Sequence, residues 1–176
     1  YKCMTIVHLL EKNAREFPQD VALVEINPDQ PETRRLTWSE YELVEPTHRV
    51  PHYRREITWG VFNEKANRCA NMLQHNGIGK GKKVAILLMN SLMWLPIYFG
   101  ILKTGALAVP LNFRYSPDEI DYCLELAEAD VLIFGPEFIG RVEQIADKVS
   151  KKCTLIYYGG GCPAFAEEYR DLVSEH

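Results

Sequence analysis

Arg114 is the residue of this chain whose type and position best suit a ligand. It follows an apolar stretch ending at Leu111 that predicts a strand, so it lies in the loop on the carboxyl side of that strand. Ligands of open α/β sheets bind on that side, and the planar guanidinium group can bind a phosphate through two hydrogen bonds. The chemistry indicated is anion binding, and the alternative is a surface arginine without a ligand.

Two glycine-rich segments resemble phosphate-binding loops in composition, but the first has the wrong context and the second lacks the required residues. Such loops follow a strand and open a helix, whose N-terminus then faces the anion. The segment Gly77-Ile-Gly-Lys-Gly-Lys-Lys83 follows a predicted helix and precedes a strand, which favours a turn with solvated lysines. Gly159-Gly-Gly161 follows a strand but lacks the Lys-Ser/Thr pair of a phosphate loop. We interpret it as a surface loop.

No group of residues completes a metal site or a catalytic arrangement. His48 and His52 are four residues apart, yet two nearby prolines exclude a helix, and no third ligand is near. Lys103 is predicted to end a helix, where a cation stabilises the negative end of the dipole. The carboxylates Asp118-Glu119 and Glu167-Glu168 are interpreted as solvated faces of helices. The residues therefore predict no catalytic residue and no metal ligand.

Composition and charge indicate an ordinary globular chain. Its 176 residues are 47% hydrophobic and carry a net charge of −4, which gives no basic surface of the kind that binds nucleic acid. The most apolar stretch, 84–100, contains Asn90, Ser91 and Pro96 and falls short of the ~20 apolar residues of a transmembrane segment. Five scattered cysteines indicate reduced thiols and a cytoplasmic protein.

The segment 83–130 alternates strand and helix patterns. Val84–Met89 is apolar without alternation, which predicts a strand covered on both faces. A helix follows, with Asn90 or Ser91 as its cap and Gly105 just beyond its end. Pro96 lies inside this helix, so either the regular helix begins near Pro96 or its first turn is irregular. Ala106–Leu111 is predicted as a second buried strand.

The same alternation continues to the end of the chain. Ser116 and Pro117 begin a helix with two carboxylates in its first turn, next to the positive end of the dipole. Further strands are predicted at 131–134 and 154–158, and further helices at 138–149 and 164–173. Repeated strand–helix units predict the α/β class, with a parallel, doubly wound sheet that has helices on both faces.

The residues before 61 have a different pattern. Thr5 can cap a first helix, and 21–26 is a predicted strand. Arg34-Arg-Leu-Thr-Trp38 returns as Arg54-Arg-Glu-Ile-Thr-Trp59, which predicts two or three antiparallel strands in a small flanking sheet. The second copy leads into a helix that is capped by Thr58 and ended by Asn76-Gly77.

The order of these motifs resembles that of the AMP-forming adenylating enzymes, the superfamily of the acyl-CoA synthetases. The resemblance lies in Val84-Ala-Ile-Leu-Leu-Met-Asn-Ser, Tyr98-Phe-Gly-Ile-Leu-Lys-Thr-Gly-Ala, Val109-Pro-Leu-Asn, Ser116-Pro-Asp-Glu-Ile and Ala127-Glu-Ala-Asp-Val-Leu-Ile. It implies an ATP-dependent carboxylate–CoA ligase that forms an acyl-adenylate and uses ATP, Mg²⁺ and coenzyme A. In some relatives an arginine at the place of Arg114 lies near the phosphates of bound coenzyme A, which makes Arg114 a candidate cofactor-binding residue.

The family's phosphate loop and catalytic lysine do not occur in this chain, so the resemblance implies the N-terminal part of a longer enzyme. We expect 1–176 to belong to the large adenylate-forming domain. Residues 1–60 would form a helix and flanking strands with an insertion at 36–55, and 61–176 the α/β unit. The fragment alone should be inactive, bind no cofactor and self-associate through an open sheet edge. The alternatives are an adenylation domain that loads a carrier protein and a non-catalytic α/β binding module.

Overall fold

The computed structural model describes residues 4–27 and 53–174. Its elements, in chain order, are α1 (Ile6–Glu16), β1 (Val21–Asn27), β2 (Tyr53–Thr58), α2 (Trp59–His75), β3 (Lys83–Leu87), α3 (Trp94–Lys103), β4 (Leu107–Pro110), α4 (Pro117–Ala127), β5 (Val131–Phe134), α5 (Ile139–Val149), β6 (Thr154–Tyr157), β7 (Glu167–Glu168) and α6 (Tyr169–Ser174). A single 3-10 turn, Pro136–Phe138, precedes α5.

A five-stranded sheet with the order β4-β3-β5-β6-β7 forms the centre of the α/β part. Every pair of neighbouring strands in it is parallel. Successive side chains of a strand point to opposite faces, and β3 divides accordingly. Val84 and Ile86 face a core with α2 and α3, whereas Ala85 and Leu87 face a second core with α4 and α5. The predicted doubly wound α/β architecture is confirmed.

The prediction that the second strand, β4, is buried is wrong. In the described residues it pairs with β3 alone and lies at the end of the sheet. Leu107 is 59% exposed, and Ala108 and Val109 are only half-buried. Pro110 suits this place because a proline at a sheet edge leaves no ladder hydrogen bond unmade. Self-association through this edge stays a prediction.

The start of α3 settles the two alternatives for Pro96. The helix begins at Trp94, so Pro96 lies in its first turn, where the backbone N–H has no partner within the helix. Asn90 and Ser91 do not cap it, because the N-cap is Met93 and no side chain caps the helix. Gly105 follows the helix with a φ of 82°, as predicted for a left-handed position.

The N-terminal layer has the predicted helix and antiparallel strands. Thr5 caps α1, and β1 pairs with β2 in antiparallel register. The layer packs against α2 through a small core of Leu10, Phe62 and Ala66. The first repeat copy (34–38), most of the predicted insertion at 36–55 and the His48/His52 pair lie outside the described residues.

The C-terminal helix is shorter than predicted. Residues 164–173 do not form one helix, because Glu167 and Glu168 pair with Ile156 and Tyr157 as the strand β7. Only Tyr169–Ser174 is helical. The interpretation of Glu167-Glu168 as a helix face is therefore wrong. Backbone pairing with the free edge of β6 replaces the helical hydrogen bonds there.

Close contact between α2 and α3 depends on Gly100. A Cβ atom at this position would lie 2.5 Å from the Cβ of Cys69 and 2.9 Å from the carbonyl oxygen of Ala66. Cys69 and Ala66 are fully buried on α2, and the carbonyl oxygen is backbone that cannot rotate away. The two helices can approach this closely only with a glycine at position 100.

We therefore expect Gly100→Ala to destabilise the protein. Overpacking a core costs about 1–3 kcal/mol, and the higher helix propensity of alanine offsets up to about 1 kcal/mol. The free energy of unfolding in urea should fall by about 1–2 kcal/mol. Gly79→Ala is the control, because its new Cβ would meet only the Thr104 carbonyl oxygen, at 3.9 Å. Equal stability of the two variants would contradict the packing argument.

Lys103 closes α3 as predicted, and it also joins this helix to α1. Its side chain is 8% exposed, and its Nζ donates a 2.8 Å hydrogen bond to Glu11 Oε1. This hydrogen bond is the main cause that holds the pKa of Glu11 below its ordinary value. A lowered carboxylate pKa contributes stability that is present at neutral pH and is lost as the pH falls through the lowered value.

Glu11→Gln should accordingly reduce stability at pH 7 by at most about 1 kcal/mol, since Glu11 is partly exposed. The difference from the wild-type protein should shrink as the pH falls through the lowered pKa of Glu11 and the carboxylate becomes protonated. Urea unfolding of both proteins at pH 7 and pH 3.5 measures this difference in the free energy of unfolding. Glu16→Gln removes the exposed i,i+4 pair with Lys12 on the same helix and serves as the control. A Glu11→Gln effect that grows towards low pH would exclude this assignment.

Candidate functional site

The carboxyl ends of four parallel strands, β3, β4, β5 and β6, lie along one side of the sheet. We call this side the ligand edge, as distinct from the lateral edge formed by β4. From β3 the chain passes to β4 on one side and then crosses to β5 on the other. This order is that of a doubly wound sheet whose ligand crevice lies where the strand order reverses, between β3 and β5. The loops after these strands form the candidate site.

The loop after β4 carries Arg114 on an exposed turn at this edge. The Leu111 N–H donates to the Ile86 carbonyl oxygen at 2.8 Å, which fixes the start of the loop on β3. Asn112 then closes the turn, since its Oδ1 accepts the Arg114 N–H at 2.9 Å. The Arg114 guanidinium lies 5.3 Å from the centre of the Phe113 ring. The predicted candidate is thus solvent-accessible at the edge where ligands of such sheets bind.

Arg141, on the first turn of α5, supports this loop and was missed by sequence reasoning. It is only 2% exposed. Its Nη1 donates to the carbonyl oxygens of Phe113 and Tyr115, at 2.6 and 2.9 Å. The guanidinium lies over the Phe138 ring, 4.9 Å from its centre. Position 141 falls between the buried Val142 and partly buried Gly140 in a helix pattern, so the sequence offered no signal beyond an arginine near an apolar face.

Close packing and a hydrogen bond hold the loops after β5 and β6. A Cβ atom added to Gly135 would lie 3.0 Å from Glu137 Oε2 and 3.2 Å from Leu88 Cδ2. The loop after β6 is held in turn by Tyr157, whose hydroxyl donates to the Gly160 carbonyl oxygen at 2.7 Å.

Two clefts adjoin the same edge. One, of about 480 Å³, lies between β1 and the loop after β3, where the Glu25 carboxylate accepts the Leu92 N–H at 2.9 Å. The other, of about 620 Å³, is lined by the cations Lys65, Arg68 and Arg170, a charge that favours anions. Both are bordered by residues that follow the carboxyl ends of strands.

A third groove, of about 340 Å³, lies between α4 and α5 at the opposite edge of the sheet. Ion pairs occupy it, among them the pair between Lys148 and Asp121. Because the strands begin at this edge, it is not where a doubly wound sheet binds its ligand.

The other sequence candidates have structural roles. Residues 77–82 form a turn between α2 and β3, and Lys80 and Lys82 are exposed, as predicted. Lys82 also pairs with Asp130, and Lys83, the first residue of β3, pairs with Glu128. Gly159–Gly161 is a bend at the surface. Glu119 and Ser116 form a capping box that begins α4.

The described cysteines are free, and the buried ones are unsuited to nucleophilic chemistry. Burial raises the pKa of the Cys69 and Cys153 thiols to about 12, so both stay protonated at neutral pH. Within residues 4–27 and 53–174, no three metal-binding side chains lie together. Over the same residues, no helix has the length and hydrophobicity of a membrane span.

Comparison with known proteins gives relatives that are CoA ligases. The long-chain-fatty-acid–CoA ligase FadD13 of Mycobacterium tuberculosis is 38% identical over 119 residues, which are 68% of this chain and 24% of that ligase. The 3-hydroxybenzoate/4-hydroxybenzoate–CoA ligase of Thauera aromatica is 32% identical over 62% of this chain and 21% of its own length. The chain thus spans about a quarter of the length of the curated relatives it matches.

Solved structures agree with these relatives. The anthranilate–CoA ligase AuaEII, crystallised with anthranoyl-AMP, is 30% identical and superimposes with a TM-score of 0.65 over 69% of this chain and 24% of that ligase. A putative long-chain-fatty-acid–CoA ligase of Rhodopseudomonas palustris, at 20% identity, shares the fold over 97% of this chain and 36% of its own, with a TM-score of 0.72. The model of the AMP-binding enzymes matches residues 10–175. The chain belongs to the AMP-binding enzyme family, of which it represents an N-terminal portion.

Proposed function

We propose that this chain is the N-terminal part of an ATP-dependent carboxylate–CoA ligase that forms an acyl-adenylate. The observation that carries the proposal is the 38% identity to a fatty-acid–CoA ligase over 119 residues. A hydroxybenzoate–CoA ligase and an anthranilate–CoA ligase bound to its acyl-adenylate are also among the relatives. A fatty or aromatic carboxylic acid is therefore the proposed substrate class.

We propose that Arg114 contributes to the coenzyme A site of such an enzyme. Adenylation converts a carboxylate into an activated acyl group, and the enzyme must hold two anionic reactants in contact. Arg114 fits the phosphates of coenzyme A, since it is an exposed arginine on a turn at the ligand edge. No set of metal ligands occurs in the described residues. We propose that the groups for ATP and Mg²⁺ lie in the remainder of a longer chain, since this chain matches 24% of the fatty-acid–CoA ligase to which it is similar.

Two further proposals concern the chain and its surroundings. The 176-residue chain is proposed to be inactive alone and to form, as 1–176, part of the large adenylate-forming domain, with the remainder of its own chain as its partner. The free thiols of Cys69, Cys123, Cys153 and Cys162 support a cytoplasmic setting.

The full-length protein should catalyse acid-dependent exchange between ATP and pyrophosphate, because adenylation is reversible and needs no thiol. Exchange is measured with labelled pyrophosphate and a panel of fatty and aromatic acids, and the chain 1–176 alone is the negative control. Release of AMP on addition of free coenzyme A would distinguish the ligase from an enzyme that loads a carrier protein. Absence of exchange with every acid in the panel would favour the non-catalytic module.

Arg114→Gln in the full-length protein should raise the KM for coenzyme A and leave the exchange reaction unchanged. Loss of a charge-assisted hydrogen bond of about 1.5–3 kcal/mol corresponds to a rise of about ten- to a hundredfold. Arg15→Gln, at an exposed arginine on α1 in the N-terminal layer, is the matched control. An unchanged KM for coenzyme A would contradict the role of Arg114 in binding coenzyme A, but it would not contradict the proposal that the protein is a ligase.

A further inference from the structure

We propose that Arg141 is a positioning residue: it holds the turn that carries Arg114 and so controls how Arg114 meets its anionic ligand. The inference rests on the proposed function for its ligand, coenzyme A, but its geometric part stands on the structure alone. Arg141 lies 26 and 28 residues from the two carbonyl groups that it binds, so the contact joins two separate crossover units of the fold.

The two acceptors lie on either side of Arg114. One nitrogen atom, Nη1 of Arg141, donates to the Phe113 carbonyl oxygen at 2.6 Å and to the Tyr115 carbonyl oxygen at 2.9 Å. Two carbonyl groups that point to one donor fix the backbone direction between them. The Cα–Cβ bond of Arg114 starts from that stretch of backbone, so Arg141 sets the direction in which the Arg114 side chain leaves the turn.

The donor is itself held rigidly. Arg141 is 2% exposed and belongs to a helix whose neighbours Val142 and Ile145 are buried in the core. Its guanidinium lies over the buried ring of Phe138, an arrangement that restricts the orientation of the group. A buried cation must find acceptors to offset its lost hydration. The two carbonyl oxygens are such acceptors, so the turn and the arginine hold each other.

Without Arg141, the described hydrogen bonds that close the turn are local, although Leu111 and Tyr115 beside it pack against the core. These hydrogen bonds are the Arg114 N–H to Asn112 Oδ1, at 2.9 Å, and the Tyr115 N–H to the Asn112 carbonyl oxygen, at 3.1 Å. Both lie within four consecutive residues, three of which are exposed. Turns closed only by exposed local bonds open readily. An anchor from α5 therefore converts a surface turn into an ordered part of the ligand edge.

The experiment compares variants of the full-length protein. Arg141→Met keeps an unbranched side chain and removes the donors and the charge, while Arg141→Lys keeps a donor and the charge. Lys148→Met is the matched control, since it removes another cation of α5, one that is 64% exposed and pairs with α4 at the opposite edge of the sheet. Arg114→Gln and the double variant Arg114→Gln/Arg141→Met complete a cycle.

Arg141→Met should accelerate amide hydrogen exchange in the peptide covering 112–116, whereas Lys148→Met should not. It should also raise the KM for coenzyme A, by up to about a hundredfold, the loss that a misplaced binding group can cause. ATP–pyrophosphate exchange should keep its wild-type rate. Arg141→Lys should give a hydrogen-exchange rate and a KM for coenzyme A between those of the wild-type protein and Arg141→Met. In the double variant, the KM should equal that of Arg114→Gln alone, because Arg141 acts through Arg114.

Two results would overturn the inference. One is wild-type hydrogen exchange at 112–116 in Arg141→Met, and the other is an unchanged KM for coenzyme A together with a loss of global stability, as for a purely structural residue. If Arg141→Met does not fold, the same comparison is made with Arg141→Lys. Failure of the proposed function is distinguishable, because the wild-type protein would then show no acid-dependent exchange while the hydrogen-exchange difference would persist.

Discussion

Burial of β3 on both faces is the constraint on which the rest of this structure depends. Val84 to Leu87 are at most 1% exposed, and alternate side chains of the strand enter two separate cores. A strand of this kind needs a helical layer on each side. Parallel neighbours supply those layers, because every connection between them must cross a face of the sheet. The helices of the α/β part are thus required by the central strand.

The same constraint creates the edge of the sheet that carries the candidate site. Parallel strands end together, so loops from distant parts of the chain meet at their carboxyl ends. The turn after β4 and the start of α5 come together there through Arg141, whose Nη1 binds the Phe113 and Tyr115 carbonyl oxygens. The opposite edge has the ion pairs that tie the strand starts together, such as Lys83 to Glu128. One edge thus carries ion pairs between the strand starts, and the other carries the loop in which the candidate residue Arg114 lies.

The strands and helices with strong local signals were predictable, and the errors lie where tertiary pairing decides. β5 and β6 are apolar runs, and α4 has a capping box with a proline at its first position, so both kinds of element are encoded locally. An apolar run cannot show how many neighbours its strand has, so the sequence predicts a buried strand where β4 lies at the end of the sheet. The two-residue strand β7 exists only because β6 has a free edge beside it, and no local pattern contains that information.

The candidate site, like the fold, was predictable from the sequence only in part. The sequence alone determined the fold class, the family resemblance and the place of Arg114 on the carboxyl side of a strand, because periodicity and strand direction follow from neighbouring residues. Only the tertiary structure decided three features. They are the place of β4 as the last strand at one end of the sheet, the place of Pro96 in the first turn of α3, and the hydrogen bonds from Arg141 to the backbone around Arg114. Those features depend on contacts between residues far apart in the chain, and such contacts form only when the two helical layers close on β3.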